Sequence, residues 1–244
     1  MNRVLKRFIV TALGVMLATS FWAVQQAGAT TLKMTLTDVT GGASNTCDNG
    51  IGGCVGGWSG LINGPTLSFS GTVGSWTSAL TAATSNTPGS LTGATLDLTQ
   101  LTLTNTSGAA RSFRILVTGF DYAIPAGDPL FFFGSASTSS SGVAGTVLST
   151  SYFDPADTGA LINPVSCSFV PSTNNSCAES YITVSNGGGT YSMTQVLDIQ
   201  NLGAGQSINL TANATANAPE PGSLILIGMS LIGLAGIGRK RILG

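Results

Sequence analysis

Histidine is absent from the whole chain, which removes the side chain that most often serves as a general base or a metal ligand. The Gly-x-Ser-x-Gly turn that presents a nucleophilic serine in many hydrolases does not occur either. A Gly-rich phosphate loop ending in Gly-Lys is also missing, because the chain has no lysine between Lys33 and Lys240. The residue types therefore predict a protein that is not an enzyme and that holds no cofactor or metal.

Two pairs of carboxylates are the remaining candidates for acid–base or metal chemistry. Asp154 and Asp157 stand three positions apart, and Asp121 and Asp128 bracket a short loop. Such pairs can hydrolyse glycosides or bind calcium together with loop carbonyls. Neither pair has the regularly alternating ligands of a calcium-binding loop. We therefore expect solvated loop carboxylates, with calcium binding and catalysis as the alternatives.

The tryptophans offer a different chemistry, because an exposed indole ring can stack on a sugar. Trp58 lies in the glycine-rich stretch 57–60, where exposure would allow contact with a glycan. Core packing or anchoring of the loop is the alternative for this residue. Trp76 lies in a run of Ser, Ala and Thr, and we expect it in the core.

Charge is sparse and segregated along the chain. Charged residues make up 8% of the sequence, against about 25% in ordinary soluble domains. Six of the nine basic residues fall in two terminal clusters, and all ten acidic residues lie between them. This is the pattern expected if both ends stay cytoplasmic while the middle crosses a membrane. With a net charge of −1 and no basic stripe, nucleic acid is excluded as a partner.

The first 29 residues have the three parts of a secretory signal peptide. A basic region over 1–7 precedes an apolar stretch over 8–24, and Ala27-Gly28-Ala29 follows with small residues where signal peptidase needs them. We predict cleavage after Ala29. An uncleaved membrane anchor is the alternative, and in either case the following residues are exported.

The last 26 residues also have three parts. Pro219-Glu220-Pro221 precedes a sixteen-residue stretch, 223–238, which is apolar apart from two serines and is followed by Arg239-Lys240-Arg241. Sixteen helical residues rise about 24 Å, short of the roughly 30 Å hydrocarbon core. The segment can therefore halt translocation but makes a marginal permanent anchor. The two prolines keep the chain before it extended, as a protease substrate must be.

This tail, residues 219–244, closely resembles the PEP-CTERM sorting signal of Gram-negative bacteria that make exopolysaccharide. The resemblance rests on Pro219, Glu220 and Pro221, the short hydrophobic helix, and the basic end Arg239-Lys240-Arg241. It implies that an exosortase, a membrane cysteine protease-transpeptidase, cuts near the motif and passes the protein to the cell surface or matrix. A hydrophobic tail that is read and then removed has a parallel in glycolipid-anchor signals. An ordinary single-span membrane protein is the alternative.

Residues 30–218 predict one large all-β domain, with two small domains as the alternative. The stretch shows no helical period, and short alternating apolar runs are separated by Gly, Asn, Pro and Ser. About nine or ten strands at this spacing predict a β-sandwich. The predicted strands cover 31–40, 66–73, 94–104, 112–120, 129–133, 143–153, 165–170, 181–185, 190–200 and 206–215.

Three local patterns in this domain make more specific predictions. Leucines alternate with polar residues on both sides of Thr99-Gln100, but three positions, not two, separate Leu98 from Leu101. This change in the phase of the alternation predicts a β-bulge near Thr99-Gln100. The run 112–120 is apolar on both faces, which predicts a central strand. The sequence Asn186-Gly187-Gly188-Gly189 predicts the turn of a hairpin between its two flanking strands.

Four cysteines, Cys47, Cys54, Cys167 and Cys177, lie in the exported part. An even number in an oxidising compartment predicts two disulfides, and the short intervening loops favour Cys47–Cys54 and Cys167–Cys177. Zinc is the alternative, but the spacing does not match paired zinc knuckles and no histidine is present.

The sequence as a whole predicts an exported, non-enzymatic protein of the cell surface or extracellular matrix. Signal peptidase and an exosortase are its expected partners during export, with transient insertion in the inner membrane. A structural or adhesive role in exopolysaccharide or biofilm is expected afterwards, with other matrix components as further contacts. The alternative is a carbohydrate-binding module with a discrete glycan site, in which Trp58 is the candidate contact.

Overall fold

The computed structural model describes residues 31–48, 53–55, 59–63, 66–86, 89, 93–123 and 129–218. Within these ranges the chain forms fifteen β-strands. The strands are β1 (Leu32–Asp38), β2 (Ser44–Asp48), β3 (Gly53–Val55), β4 (Ser59–Asn63), β5 (Thr66–Val73), β6 (Trp76–Ser85), β7 (Gly93–Asn105), β8 (Arg111–Tyr122), β9 (Leu130–Thr138), β10 (Thr146–Asp154), β11 (Pro164–Phe169), β12 (Ser176–Ala178), β13 (Ile182–Val184), β14 (Tyr191–Leu202) and β15 (Ser207–Asn217).

The strands form two antiparallel sheets that pack face to face. The seven-stranded sheet has the order β11-β10-β14-β8-β1-β2-β3, and the eight-stranded sheet has the order β12-β9-β15-β7-β6-β5-β4, with β13 also paired to β9. The predicted all-β sandwich is therefore confirmed. The prediction of a central strand over 112–120 is also confirmed, because β8 lies in the middle of its sheet.

Alternation along the strands places the core between the sheets. From Ala94 to Leu103, every second residue of β7 is apolar and at most 1% exposed, apart from one change of phase at the bulge. The residues concerned are Ala94, Leu96, Leu98, Leu101 and Leu103. Each leucine side chain contributes about 1.5–3 kcal/mol when buried, so this strand alone is a major part of the core.

Aromatic side chains join the two sheets across the core. The ring of Trp76 on β6 lies 5.0 Å from that of Phe113 on β8, and Phe132 on β9 lies 5.6 Å from Phe153 on β10. Trp76 is buried, which confirms its predicted place in the core. Contacts at these separations add to the stabilisation from burial alone.

The predicted bulge is confirmed at Thr99-Gln100. Leu98 pairs with Ala212 and Leu101 with Leu210, so two residues of β7 stand opposite the single residue Thr211 of β15. Gln100 has a φ of 54°, a left-handed conformation that is uncommon outside glycine. The extra residue restores the inward direction of the later leucines, which explains the change of phase in the sequence.

The prediction of nine or ten strands was too low. All ten predicted strands are present, and five more accompany them: β2, β3, β4, β6 and β12. β6 was missed because the described residues that it buries after Trp76 are small or polar, namely Ser78, Ala83 and Ser85. A strand that buries such residues shows little alternation in hydropathy.

The predicted hairpin at Asn186–Gly189 was wrong, although the turn exists. The N–H of Gly189 donates to the Asn186 carbonyl at 3.1 Å, and Gly187 and Gly188 have φ values of 60° and 78°. The flanking strands do not pair, because β13 joins β9 in one sheet and β14 joins β8 and β10 in the other. The tight turn carries the chain between the sheets.

No helix in these ranges is long and apolar enough to cross a membrane. The predicted signal peptide and the predicted helix at 223–238 lie outside the described residues.

Candidate functional site

The outer face of the eight-stranded sheet carries paired hydroxyl and amide groups. Cross-strand pairs of this kind form where β-branched and small polar residues face solvent on adjacent strands. The pairs are Thr102 Oγ1 donating to Asn209 Oδ1 at 2.6 Å, Thr104 with Ser207 at 2.7 Å, Ser137 with Thr211 at 2.7 Å, and Ser135 Oγ donating to Asn213 Oδ1 at 3.0 Å. We call these eight residues, on β7, β15 and β9, the hydroxyl ladder; none of them is charged.

A groove of about 480 Å³ lies midway along the hydroxyl ladder, beside the bulge. Gln100 sits at its rim, because the bulge turns this side chain to the outer face. Its side-chain amide is exposed and makes no hydrogen bond within the described residues. The groove is lined by Gln100, Thr102, Ser137, Thr138, Ser139, Asn209, Leu210 and Thr211. Seven of these eight residues are neutral and polar, so the groove offers both donors and acceptors to a neutral, hydroxyl-rich ligand.

Asp154 is not the solvated loop carboxylate that the sequence led us to expect. It is 2% exposed and accepts four hydrogen bonds from its own loop: Ala156 N–H at 2.9 Å, Thr158 N–H at 2.8 Å, Thr158 Oγ1 at 2.7 Å and Ala160 N–H at 3.0 Å. Burial alone would raise its pKa, but these hydrogen bonds lower it to about 2. The carboxylate shapes the loop that joins β10 to β11, and its oxygens are occupied there.

The second candidate pair was Asp121 with Asp128, but in the structure Asp121 contacts Asp157 instead. The N–H of Asp121 donates to both carboxylate oxygens of Asp157, at 3.1 and 3.3 Å. Burial, together with the negative charge of Asp157, raises the pKa of the Asp121 carboxyl. Asp128 lies outside the described residues. Among the residues described, no three His, Cys, Asp or Glu side chains come together as a metal site would require.

Cys167 and Cys177 form a disulfide with a Cα–Cα distance of 5.8 Å. Cys167 lies on β11, at one edge of the seven-stranded sheet, and Cys177 lies on β12, at one edge of the eight-stranded sheet. The bond therefore joins the two sheets at their edges. Cys47 is disulfide-bonded, and the backbone of Cys54 stands opposite it between β2 and β3. The side chain of Cys54 lies outside the described residues, so the Cys47–Cys54 pairing stays a prediction.

Replacing both Cys167 and Cys177 with serine is expected to lower the free energy of unfolding by about 2–3 kcal/mol. The closed loop is short, and its main effect is to restrict the unfolded chain. Urea unfolding of the purified protein measures the change, with Ser168→Ala on the same strand as the matched control. An unchanged unfolding midpoint in the double variant would contradict the account.

Sequence reasoning placed the glycan contact at Trp58, which lies outside the described residues, and missed the groove. One signal pointed towards the groove, namely the predicted bulge at Thr99-Gln100, since bulges commonly redirect a side chain. The pairing of Thr102 with Asn209 joins residues 107 positions apart. No local pattern reports a contact at that separation.

The described residues thus form a disulfide-linked β-sandwich domain with a hydroxyl-rich outer face, on which Asp97 of β7 stands opposite Asn213 of the uncharged ladder. Residues 217–241, which begin where β15 ends, match the PEP-CTERM protein-sorting motif. The chain is therefore a protein that carries a PEP-CTERM sorting motif, and the resemblance seen in the sequence is confirmed. The motif implies export, membrane-associated sorting in a Gram-negative bacterium, and processing by an exosortase.

Two solved structures of carbohydrate-binding modules are similar to the chain. One was described for specific mannan recognition; it is 8% identical, with 59% of this chain and 90% of that chain covered and a TM-score of 0.27. The other belongs to carbohydrate-binding modules of the β-sandwich superfamily with promiscuous specificity; it is 16% identical, with 77% and 73% covered and a TM-score of 0.27. No curated protein matches the sequence.

Proposed function

We propose that the chain is a non-enzymatic structural or adhesive protein of the cell surface or extracellular matrix, where its sandwich contacts exopolysaccharide. In this route signal peptidase cuts after Ala29, the tail is held transiently in the inner membrane, and an exosortase cuts near Pro219–Gly222. The observation that carries the adhesive role is the hydroxyl ladder on the outer face of the eight-stranded sheet.

The chemistry of the ladder suits a neutral polysaccharide. Each hydroxyl that is paired across the strands keeps unused donor or acceptor capacity, and so does the amide of Asn209. A single exchanged hydrogen bond contributes only about 1 kcal/mol. A long polymer that contacts many such groups can nevertheless bind tightly. Once its first contact has formed, the remaining groups are held close to the surface, so that each further contact forms at a high effective concentration. The ladder has no charge, so we expect this binding to depend little on salt.

The groove at Gln100 favours a second candidate function, a carbohydrate-binding module with a discrete site. Its volume can hold a small oligosaccharide, and the unbonded amide of Gln100 can donate and accept at the rim. Trp58 would add a stacking platform if it lies near the same face. Saturable binding of a short oligosaccharide that is lost on Gln100→Ala or Trp58→Ala would favour this module over a spread adhesive face.

Replacing Thr102, Ser137 and Thr211 by Val, Ala and Val is expected to lower retention on a neutral polysaccharide matrix severalfold. These changes remove hydroxyls and keep the volume and strand propensity of the threonines. The matched control is Thr35→Val with Thr37→Val, which removes hydroxyls that are paired across β1 and β2 on the other sheet. Affinity electrophoresis of the purified full chain measures retention. Equal retention of the triple variant and the control would contradict the ladder as the contact surface.

A further inference from the structure

Both ends of the described chain leave the sandwich on the same side. β1 begins at Leu32, opposite Gly119 near the end of β8. β15 ends at Asn217, which stands between Gly93 of β7 and Phe131 of β9. We call this side of the domain the tail end, because the sorting motif begins there.

The two sheets finish together at the tail end. The hydroxyl of Tyr122, the last residue of β8, donates to the carbonyl of Thr95 near the start of β7 at 3.0 Å. Tyr191, the first residue of β14, stacks on Tyr122 with ring centroids 5.5 Å apart. The loop between β10 and β11 is also at this end, because Asp154 pairs with Ser192 of β14.

Most of the exposed large apolar side chains of the described residues lie at the tail end. They are Tyr181 at 69% exposure, Leu161 at 48%, Ile162 at 42% and Phe131 at 36%. Phe131 and Tyr181 meet edge to face with ring centroids 5.9 Å apart. The remaining two, Val39 and Val170, follow the last residues of β1 and β11 at the opposite end. Among the described residues, the tail end therefore exposes four large apolar side chains, including two aromatic rings, and the opposite end exposes two valines.

The apolar side chains are spread over the edges of both sheets. In the eight-stranded sheet, Phe131 lies on β9 and Tyr181 directly precedes β13. In the seven-stranded sheet, Leu161 and Ile162 lie in the loop before β11. The described charged groups nearby are Lys33 on β1, its cross-strand partner Asp48 on β2, and the carboxylates of Asp121, Asp154 and Asp157, so the described surface has no basic cluster that would select anionic lipid. Such a broad apolar rim suits a flat, uncharged surface better than a peptide, which would need a groove.

The sequence fixes how far the tail end can stand from the membrane. Five residues, 218–222, separate Asn217 from Ser223, where the apolar stretch 223–238 begins. Even fully extended, the chain between these two Cα atoms spans only about 20 Å. The domain is therefore held close to the bilayer whenever the tail is inserted.

We propose that, while the tail is inserted, the tail end rests on the outer leaflet of the inner membrane, with Phe131, Leu161, Ile162 and Tyr181 in the headgroup region. Aromatic side chains and exposed aliphatic side chains are stabilised at this depth. The contact orients the sandwich and holds residues 219–222 at the membrane face, where a membrane-embedded protease can reach them. The inference rests on the proposed sorting route and adds a surface to it.

Depth-dependent fluorescence quenching tests this contact in the full chain. The chain is inserted by its tail into phosphatidylethanolamine–phosphatidylcholine vesicles that contain a lipid with a quencher in its headgroup region. An environment-sensitive dye is attached to a cysteine at Thr183, which pairs with Phe131, or at Ser141, in the loop after β9 at the opposite end. We expect quenching at position 183 and none at position 141.

Variants of the rim separate the lipid contact from mere proximity. Changing Phe131, Leu161, Ile162 and Tyr181 to Ser should abolish the quenching at position 183. Changing Val39 and Val170 to Ser, at the opposite end, should leave it intact. If the fourfold variant is unstable, the pair Leu161→Ser with Tyr181→Ser, which alters the two most exposed positions, should still remove most of the quenching.

Flotation of the vesicles separates failure of this contact from failure of the sorting route. Protein that floats with the vesicles but shows equal quenching at positions 183 and 141, or unchanged quenching in the fourfold variant, would overturn the lipid contact alone. A third outcome is that the wild-type protein floats without being quenched, while exosortase cuts the fourfold variant more slowly than the wild type. The four apolar side chains would then contact the enzyme and not the lipid, and the lipid contact would be overturned. Failure to float would overturn the proposed membrane step and the contact with it.

Discussion

Replacing Arg239, Lys240 and Arg241 with serine is expected to release uncut protein into the periplasm. The apolar stretch before them is short and contains four glycines, each of which weakens a helix by about 1 kcal/mol. Its orientation and arrest therefore depend on the cost of moving three cations across hydrocarbon. Fractionation followed by immunoblotting measures the shift from the membrane to the soluble fraction. Ile242→Ser with Leu243→Ser, just beyond the basic cluster, is the matched control and should be processed normally.

Glu220→Ala is expected to have the opposite effect, namely retention of the uncut precursor in the membrane. The apolar span and the basic end remain, so the precursor should stay in the membrane, but the processing motif is altered. Full-length protein should then accumulate in the membrane fraction at the expense of the cut form. Processing of both tail variants at the wild-type rate would show that these residues do not act as a sorting signal.

The largest effect on folding is expected at Asp154. Replacing it with alanine removes a buried carboxylate that accepts four hydrogen bonds from an otherwise exposed loop, and we expect a loss of about 3 kcal/mol in the free energy of unfolding. Asp157→Ala is the matched control in the same loop, and we expect it to cost about 1 kcal/mol or less. Urea unfolding at neutral pH compares the two variants. Equal losses would contradict the structural role of Asp154.

The same carboxylate predicts a dependence of stability on pH. Its folded-state pKa of about 2 lies below the ordinary value near 3.9 for an unfolded aspartate. Its contribution of roughly 2 kcal/mol is therefore complete above about pH 5 and is lost as the pH falls towards 2. The raised pKa values of Asp97, Asp121 and Glu179 act in the opposite direction. The difference between wild type and Asp154→Asn isolates the effect: it should shrink on acidification, and a constant difference would contradict it.

Patterns in the sequence predicted those parts of the fold in which hydropathy alternates strongly. The leucines of β7 and the two apolar faces of β8 identified both strands, and the change of phase between Leu98 and Leu101 identified the bulge. β6 escaped detection because the described residues that it buries after Trp76 are small or polar. The turn at Asn186–Gly189 was recognised, but its flanking strands enter different sheets. A turn reports local geometry and does not report which strands pair.

In the candidate site too, features formed by neighbouring residues could be predicted from the sequence, and features formed by residues far apart in the chain could not. The sorting tail is a linear motif, so its resemblance to the PEP-CTERM signal could be recognised from the order of its residues in the sequence. The hydroxyl ladder could not, because Ser137 and Thr211 are brought together only by pairing across 74 positions. Asp154 was assigned to solvent because a carboxylate in a polar loop is usually hydrated. The backbone N–H groups that surround it arise from the conformation of that loop.

The intact mass of the protein extracted from the cell surface tests whether the chain is sorted by its tail. Exosortase sorting predicts a chain cut twice, after Ala29 and near Pro219–Gly222, which carries neither the basic cluster at residues 3–7 nor the one at residues 239–241. A full-length chain at the surface that still carries Arg239, Lys240 and Arg241 would contradict exosortase sorting.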